Sequence, residues 1–248
     1  MNNQQKRATL HRDHRPYWLK KYALVVHKWY VKWYIAPHMS HLGKKPMIIN
    51  PWYLELFGRP IEIGDYVNIF SAPDARTKLL IWSEAEGLGR ISIGDFCLIS
   101  PGVRMISANH ISVGHSCMFA RNVSIADSDW HDVYDRVAMG PHKPVRIHEN
   151  VWVGESAIIC KGVTIGENSV IGAGSVVVRD IPPNCIAAGN PAQMVKAIDT
   201  NRPIKKRSDW FCDPVKLFSD VDQVDRDNLK RNSLAHWLRV SIFPQKND

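Results

Sequence analysis

Apolar residues recur at every sixth position through the middle of the chain: Ile147, Val153, Ile159, Ile165, Ile171 and Val177. Four residues after each stands a mostly small side chain, in turn Val151, Ala157, Val163, Ser169, Ser175 and Ile181, and Gly154, Gly166 and Gly172 directly follow the apolar position. A helix repeats near 3.6 residues and a strand near 2, so neither ordinary pattern accounts for a six. Each unit reads instead as a short strand plus a turn. Three units, about 18 residues, then close one coil whose large apolar side chains stack above their equivalents a coil away. An earlier run gives Ile93, Ile99 and Met105, then after a two-residue slip Val113, Phe119 and Ile125, with Cys97, Val103, Cys117 and Val123 at its small positions. Ile63 and Ile69 read as a first partial turn.

The period breaks at residues 129–146, DWHDVYDRVAMGPHKPVR, which are too many for a corner and crowded with polar and aromatic groups. Loops of that length in compact domains usually carry function. Beyond the repeat, Pro182, Pro183 and Pro191 are expected to stop strand pairing, and the tail predicts helical pieces around DPVKLFSDVDQV and DNLKRNSLAHWLRVSIF. At the other end, no Asp or Glu occurs between His14 and Leu54. At 100° per residue, Trp18, Tyr22, Val25, Trp29 and Trp33 share one helical stripe, flanked by Lys21, Lys28 and Lys32. Such a helix either lies in an anionic lipid interface or packs its aromatics on the coil with the lysines outward.

Composition adds bounds. The 248 residues are 45% hydrophobic and 23% charged, ordinary globular proportions, and 32 Lys+Arg against 24 Asp+Glu give +8, a balance that suits anionic partners. No apolar run approaches the roughly 20 residues of a membrane span, and the opening residues lack a signal-like apolar stretch. A cytoplasmic location is expected, with a peripheral place at the inner face of the membrane left open by the N-terminal helix. Five cysteines without CxxC spacing signal neither a disulfide framework nor a zinc site.

VWVG at 151–154, GVTIGENSVIGAGSVV at 162–177, RDIPPN at 179–184 and AAGNPA at 187–192 are similar to the closing coils of the hexapeptide-repeat acyltransferases. Within them the likeness is to the galactoside and maltose O-acetyltransferases and the polysaccharide O-acetyltransferases. The resemblance implies an all-β fold, a left-handed parallel β-helix prism, to which the residues themselves add the helical N- and C-terminal extensions that the compact sugar enzymes lack. Together these readings divide the chain into a basic aromatic extension (1–59), the β-helix acyltransferase domain with its loop (60–198) and a helical tail (199–248); by resemblance the middle part alone is the family's. The resemblance also implies a homotrimer with sites shared between subunits, and transfer of an acyl group, here acetyl, from acetyl-CoA to a hydroxyl or amine without a metal.

By the same resemblance His131 is the catalytic base, a role an imidazole fits because it takes a proton near neutral pH. Asp127 and Asp129 are placed to orient that ring or to hold the acceptor, or are ordinary loop carboxylates. The donor falls to Trp152, Gly154, Ala173, Val178, Arg179 and Lys196, whose two cations suit an anionic nucleotide. Glu155 and Gln193 depart from the family's Ser and Arg. On the acceptor side the galactoside contacts are replaced by Ser100 and Ala108, so a free galactoside is disfavoured. Tyr134, Asp135 and Arg136 either contact a different sugar or pack the loop.

The function expected is O-acetylation of a sugar in a cell-surface polysaccharide or a lipid-linked precursor, with no nucleic acid partner. The rivals are an antibiotic-modifying O-acetyltransferase, a non-enzymatic membrane or nucleic-acid scaffold, and a metal hydratase of the γ-carbonic anhydrase kind. The hydratase draws on the five-residue spacing of His110 and His115, but Asp74 stands near the place of its third ligand.

Overall fold

A computed structural model describes residues 13–83 and 88–245. Residues 1–12 of the basic extension lie outside the described residues. The chain divides into two compact units, one of residues 27–212 and one of residues 1–26 with 213–248.

In the larger unit the period of six becomes short strands that visit three sheets in rotation. The first sheet stacks His41–Leu42, Ile61–Ile63, Ile91–Ile93, Ile111–Val113, Val145–Ile147 and Thr164–Ile165, all parallel. The second runs from Met47–Ile49 through Trp152–Val153 and Val170–Ile171 to Cys185–Gly189, and the third from Leu54–Phe57 to Val176–Val177. Register is kept position for position: Ile147 pairs with Ile165, Val153 with Ile171 and Ile159 with Val177. These six are at most 3% exposed and join one apolar core to which all three sheets contribute. The strands start at His41, earlier than expected from the sequence: Leu42, Ile48 and Leu54 already keep the spacing of six, and a longer step from Leu54 to Ile63 separates them from the later repeat.

Small residues fill the turns for a packing reason. A Cβ on Gly166 would sit 2.3 Å from the Pro183 nitrogen, so successive corners meet backbone to backbone. Ser169 and Ser175 are fully buried but satisfied, Ser169 donating to the Pro182 carbonyl at 2.8 Å and Ser175 accepting from the Gly189 N–H at 3.2 Å. Cys97 and Cys117 are buried filler, and burial pushes the Cys97 thiol well up, as an inert core thiol requires. The expectation that prolines end pairing needs correction. Pro182 and Pro183 occupy a corner between Ile181 and Cys185, where no ladder N–H is needed, and Cys185–Gly189 still pairs with Val170–Ile171. The parallel stack ends later, at Pro191, after which Ala192–Ala197 turns back and pairs antiparallel with Cys185–Gly189.

A strap after the last strand returns along the coil. Arg207 donates to the Phe96 carbonyl at 2.7 Å and to Asn68 at 2.6 Å, and Phe211 packs on Tyr66 and Phe96 with centroids 5.3 and 5.4 Å apart.

The smaller unit is helical. Helix α1 (Tyr17–Tyr30) starts in it and runs on into the larger unit, followed there by a π-helical turn, Val31–Ile35. Helices α2 (Pro214–Leu229) and α3 (Leu234–Ile242) lie where the tail predicts them. Tyr17 donates to Asp222 at 2.8 Å, while Lys20 and Lys21 pair with Asp225 and Asp222 at 2.7 and 2.6 Å. Along α1 and its π-turn, Trp18, Tyr22, Val25, Trp29 and Trp33 are 53–64% exposed, while His27, Val31 and Ile35 are buried.

At one corner of the coil Asn150, Asn168 and Asn184 all take left-handed φ, 57°, 58° and 55°, and their side chains form a ladder of 3.0 Å hydrogen bonds. Asn168→Ala loses two of these bonds and puts a Cβ-bearing residue without a compensating side chain at positive φ. It should lower stability in urea unfolding by about 2–3 kcal/mol, and Asn168→Gly, which tolerates that φ, by less.

Candidate active site

Both long departures from the period leave the coil at one corner, between the third sheet and the first. One follows Thr77–Ile81 and rejoins at Ile91–Ile93; the other follows Ser124–Ala126 and rejoins at Val145–Ile147. Ser107–His110, Lys161 and Val178–Arg179 belong to the same corner in other turns, Arg179 just before Ile181 bridges to Ile165 on the first sheet.

The second departure carries His131 and is an organised hairpin. Its base is an antiparallel bridge between Ser128 and His142, flanked by the Lys143 N–H donating to the Asp127 carbonyl at 2.8 Å and the Asp129 N–H donating to the Pro141 carbonyl at 3.2 Å. Asp127 fastens that base to the preceding turn. Fully buried, it accepts from the Ser107 hydroxyl at 2.6 Å and from the Ala108 and Asn109 N–H groups at 2.6 and 3.0 Å. Asp129 is held by Lys161 of the following turn at 2.7 Å. Both carboxylates thus fix the loop between two turns of the coil.

Trp130 takes φ 64° immediately before His131, with its N–H donating to the Ser128 hydroxyl at 3.1 Å. Left-handed backbone at a bulky residue costs about 1–3 kcal/mol and persists only where its surroundings enforce it. The enforcing contact is with the loop's return limb, since a Cβ on Gly140 would lie 2.3 Å from the His131 carbonyl oxygen. The His131 side chain is exposed, and its ring has no hydrogen bond or ion pair among the described residues. Its backbone is fixed while its imidazole is available, the arrangement a general base needs.

At the loop tip the Asp132 carboxylate accepts from the Asp135 and Tyr134 N–H groups at 3.0 and 2.8 Å, which holds it below the usual carboxylate range. Tyr134 is 97% exposed, Asp135 accepts from the Val137 N–H at 3.2 Å, and Arg136 donates to the Val133 carbonyl at 3.0 Å. Tyr134, Asp135 and Arg136 therefore sit together at the exposed tip.

The candidate donor residues divide between two regions of the coil. Val178 and Arg179 share the corner of His131. Trp152 and Lys196 lie on the second sheet, and Gly154 and Ala173 on the corner that follows it, so close that a Cβ on Gly154 would meet the Ala173 nitrogen at 2.6 Å. Trp152 is half exposed, and neither Arg179 nor Lys196 is ion-paired among the described residues. One chain does not bring these two sets together.

The residues suggesting a hydratase are used otherwise. The His115 Nδ1 lies 3.0 Å from the Asp95 N–H, and Asp74 is paired with Arg121. Burial pushes the His110 imidazole down. No group of three or more metal-ligating side chains occurs among the described residues.

Residues 144–179 match the family model described as bacterial transferase hexapeptide (six repeats). The resemblance drawn from VWVG and the motifs after it is borne out. Galactoside O-acetyltransferase of Escherichia coli K12 is 32% identical over 130 residues, covering 44% of this chain and 64% of that protein. The chain thus spans just under two thirds of that relative's length. A maltose O-acetyltransferase from Clostridium difficile 630 matches 66% of this chain and 73% of its own at 28% identity and a TM-score of 0.46. AntD, an N-acyltransferase from Bacillus cereus solved with dTDP and 3-hydroxybutyryl-CoA, covers 77% of this chain and 93% of its own, with a TM-score of 0.54 at 18% identity, a likeness of fold.

Sequence reasoning missed Ser107, Lys161 and His142. Lys161 and Ser107 look like ordinary corner residues until the loop folds onto them, and nothing near His142 marks its bridge to Ser128.

Proposed function

We propose that the chain is a CoA-dependent O-acetyltransferase with His131 as general base. The observation that carries this is the free imidazole of His131 on a loop braced by Asp127 and Asp129, at the corner that also holds the unpaired Arg179. The acceptor proton moves to the imidazole as the acceptor oxygen bonds to the acyl carbon; the departing thiolate then takes that proton from the imidazolium. Arg179 and Lys196 bind the anionic nucleotide end of acetyl-CoA, and Gly154 and Ala173 offer bare backbone to its pantetheine arm. No metal is needed in this scheme.

The coil in this reading is a left-handed triangular prism, and the enzyme is a homotrimer. Support for the trimer comes from the division of the site. With Trp152, Gly154, Ala173 and Lys196 away from the corner of His131, a second copy of the chain completes each site. The acceptor in this reading is a hydroxyl of a sugar in a cell-surface polysaccharide or a lipid-linked precursor, reached at the inner face of the membrane. Among the described residues no helix is long and apolar enough to cross a membrane. The exposed stripe of Trp29 and Trp33 with the exposed Lys28 and Lys32 gives a surface that can rest on anionic lipid, whereas Lys20 and Lys21 are already neutralised by aspartates.

His131→Ala should reduce acetyl transfer by about 10²–10⁴-fold with little change in the KM for acetyl-CoA, while Arg179→Ala and Lys196→Ala should raise that KM. Steady-state thioester consumption with a sugar panel measures both, and full turnover by His131→Ala overturns the assignment. Sedimentation velocity at micromolar concentration should give three chains per particle, and a monomer rules out the shared site. The chain should pellet with phosphatidylglycerol vesicles at low salt and be released at high salt. Trp29→Ala with Trp33→Ala should abolish pelleting, and equal pelleting of both proteins removes the membrane contact.

A further inference from the structure

A cavity of about 540 Å³ opens at the corner of His131, between the two long departures from the coil. That volume falls in the range of small-molecule sites. Leu88, Ala108 and Met139 give it apolar wall, and Asp132 and His142 are its ionisable groups. The cavity lies beside the backbone of His131, since Gly140 lines it and packs against the His131 carbonyl, and Asp132, the next residue in the chain, lines it as well.

His142 differs from His131 in being held at both its backbone and its ring. Its backbone bridges to Ser128 at the base of the loop, and its half-buried ring places Nδ1 3.1 Å from the Asn109 amide nitrogen. An amide nitrogen only donates, so in this contact Nδ1 is the acceptor and the neutral ring carries its proton on Nε2. Asn109 is itself fixed, because its N–H donates to the buried Asp127 carboxylate. The residue whose amide sets the tautomer of His142 is thus held, at its backbone, by the same buried carboxylate that anchors the loop of His131.

Resting on the acetyltransferase reading, we propose that this cavity is the acceptor subsite, that it takes an uncharged pyranose, and that His142 is a positioning residue whose Nε2–H donates to the sugar and aims its hydroxyl at His131. The lining carries the argument for the sugar class. Apolar wall suits the C–H face of a pyranose ring, and a donor suits its oxygen-rich edge. The charged group in the cavity is the carboxylate of Asp132, which two backbone N–H groups keep ionised. An acceptor bearing its own carboxylate would meet like charge at close range, which disfavours uronic and sialic acids.

The test uses the full chain with methyl glycosides of glucose, galactose, mannose, N-acetylglucosamine and glucuronic acid. Binding is read by saturation-transfer NMR and transfer by steady-state kinetics with acetyl-CoA. At least one neutral glycoside should bind in preference to the glucuronide. His142→Ala should weaken that binding and raise the acceptor KM by about tenfold, the value of one lost hydrogen bond, with the KM for acetyl-CoA unchanged. His142→Gln, which keeps a donor, should recover to within about threefold, and Asp132→Asn should admit the glucuronide. Failure of every neutral glycoside to bind, preference for the glucuronide, unchanged binding in His142→Ala, or no recovery in His142→Gln overturns the proposal. Glycosides that bind as described but are never acetylated reject the acetyltransferase reading and leave the subsite standing.

Discussion

Every feature of the larger unit follows from one constraint: each turn of the coil must lay its apolar side chains directly on those of the turn before. Ile147 on Ile165 and Val153 on Ile171 leave the interior no room for an added residue. Additional chain can leave only at a corner, where backbone meets solvent. The coil therefore behaves as a rigid post whose variation is confined to its edges, and a group extruded there inherits the rigidity of the turns above and below it. Catalytic groups need placement to a fraction of an ångström, and this architecture supplies it without a deep cleft.

Asp127 shows how the rigidity is transmitted. A buried carboxylate is costly unless its oxygens are bonded. Here three donors from the preceding turn satisfy it, two of them backbone N–H groups that the departure of the chain from the ladder would otherwise leave unpaired. The loop and the turn beneath it solve each other's hydrogen-bonding deficit. Asp129 and Lys161 repeat the device on the other side with a more exposed pair, worth less to stability because solvent screens it, but enough to restrict the hairpin.

Most of the coil was legible because period-six stacking is written in residue size alone: Ile, Val and Ala alternate with Gly and Ser wherever turns must meet closely. What escaped is written differently. The corners held by Asn150, Asn168 and Asn184 use left-handed asparagines, a signal that repeats every 16 to 18 residues and was overshadowed by the glycines. The strap of Arg207 and Phe211 answers to Phe96 and Tyr66, more than a hundred residues away, and no local pattern announces such a pairing. His131 stood out by its place in a motif. The roles of Asp127, Asn109 and His142 depend on two turns of the coil lying against each other, a relation that emerges only when the register is known.

The same constraint bears on why the site divides. Side chains at one corner can be made dense in function only by extruding more chain there, and two excursions already occupy that edge. A long, anionic donor needs an extended groove, yet the flat flank of the coil that carries Trp152 and the bare backbone at Gly154 and Ala173 lies away from the edge of His131. Folding a groove between them within one chain would require bending a coil whose stacked core resists bending. In the proposed trimer, the flank of one rigid coil set beside the edge of another forms the groove with no distortion of either, and the exposed candidate donor residues of a single chain become the inner wall of a shared site.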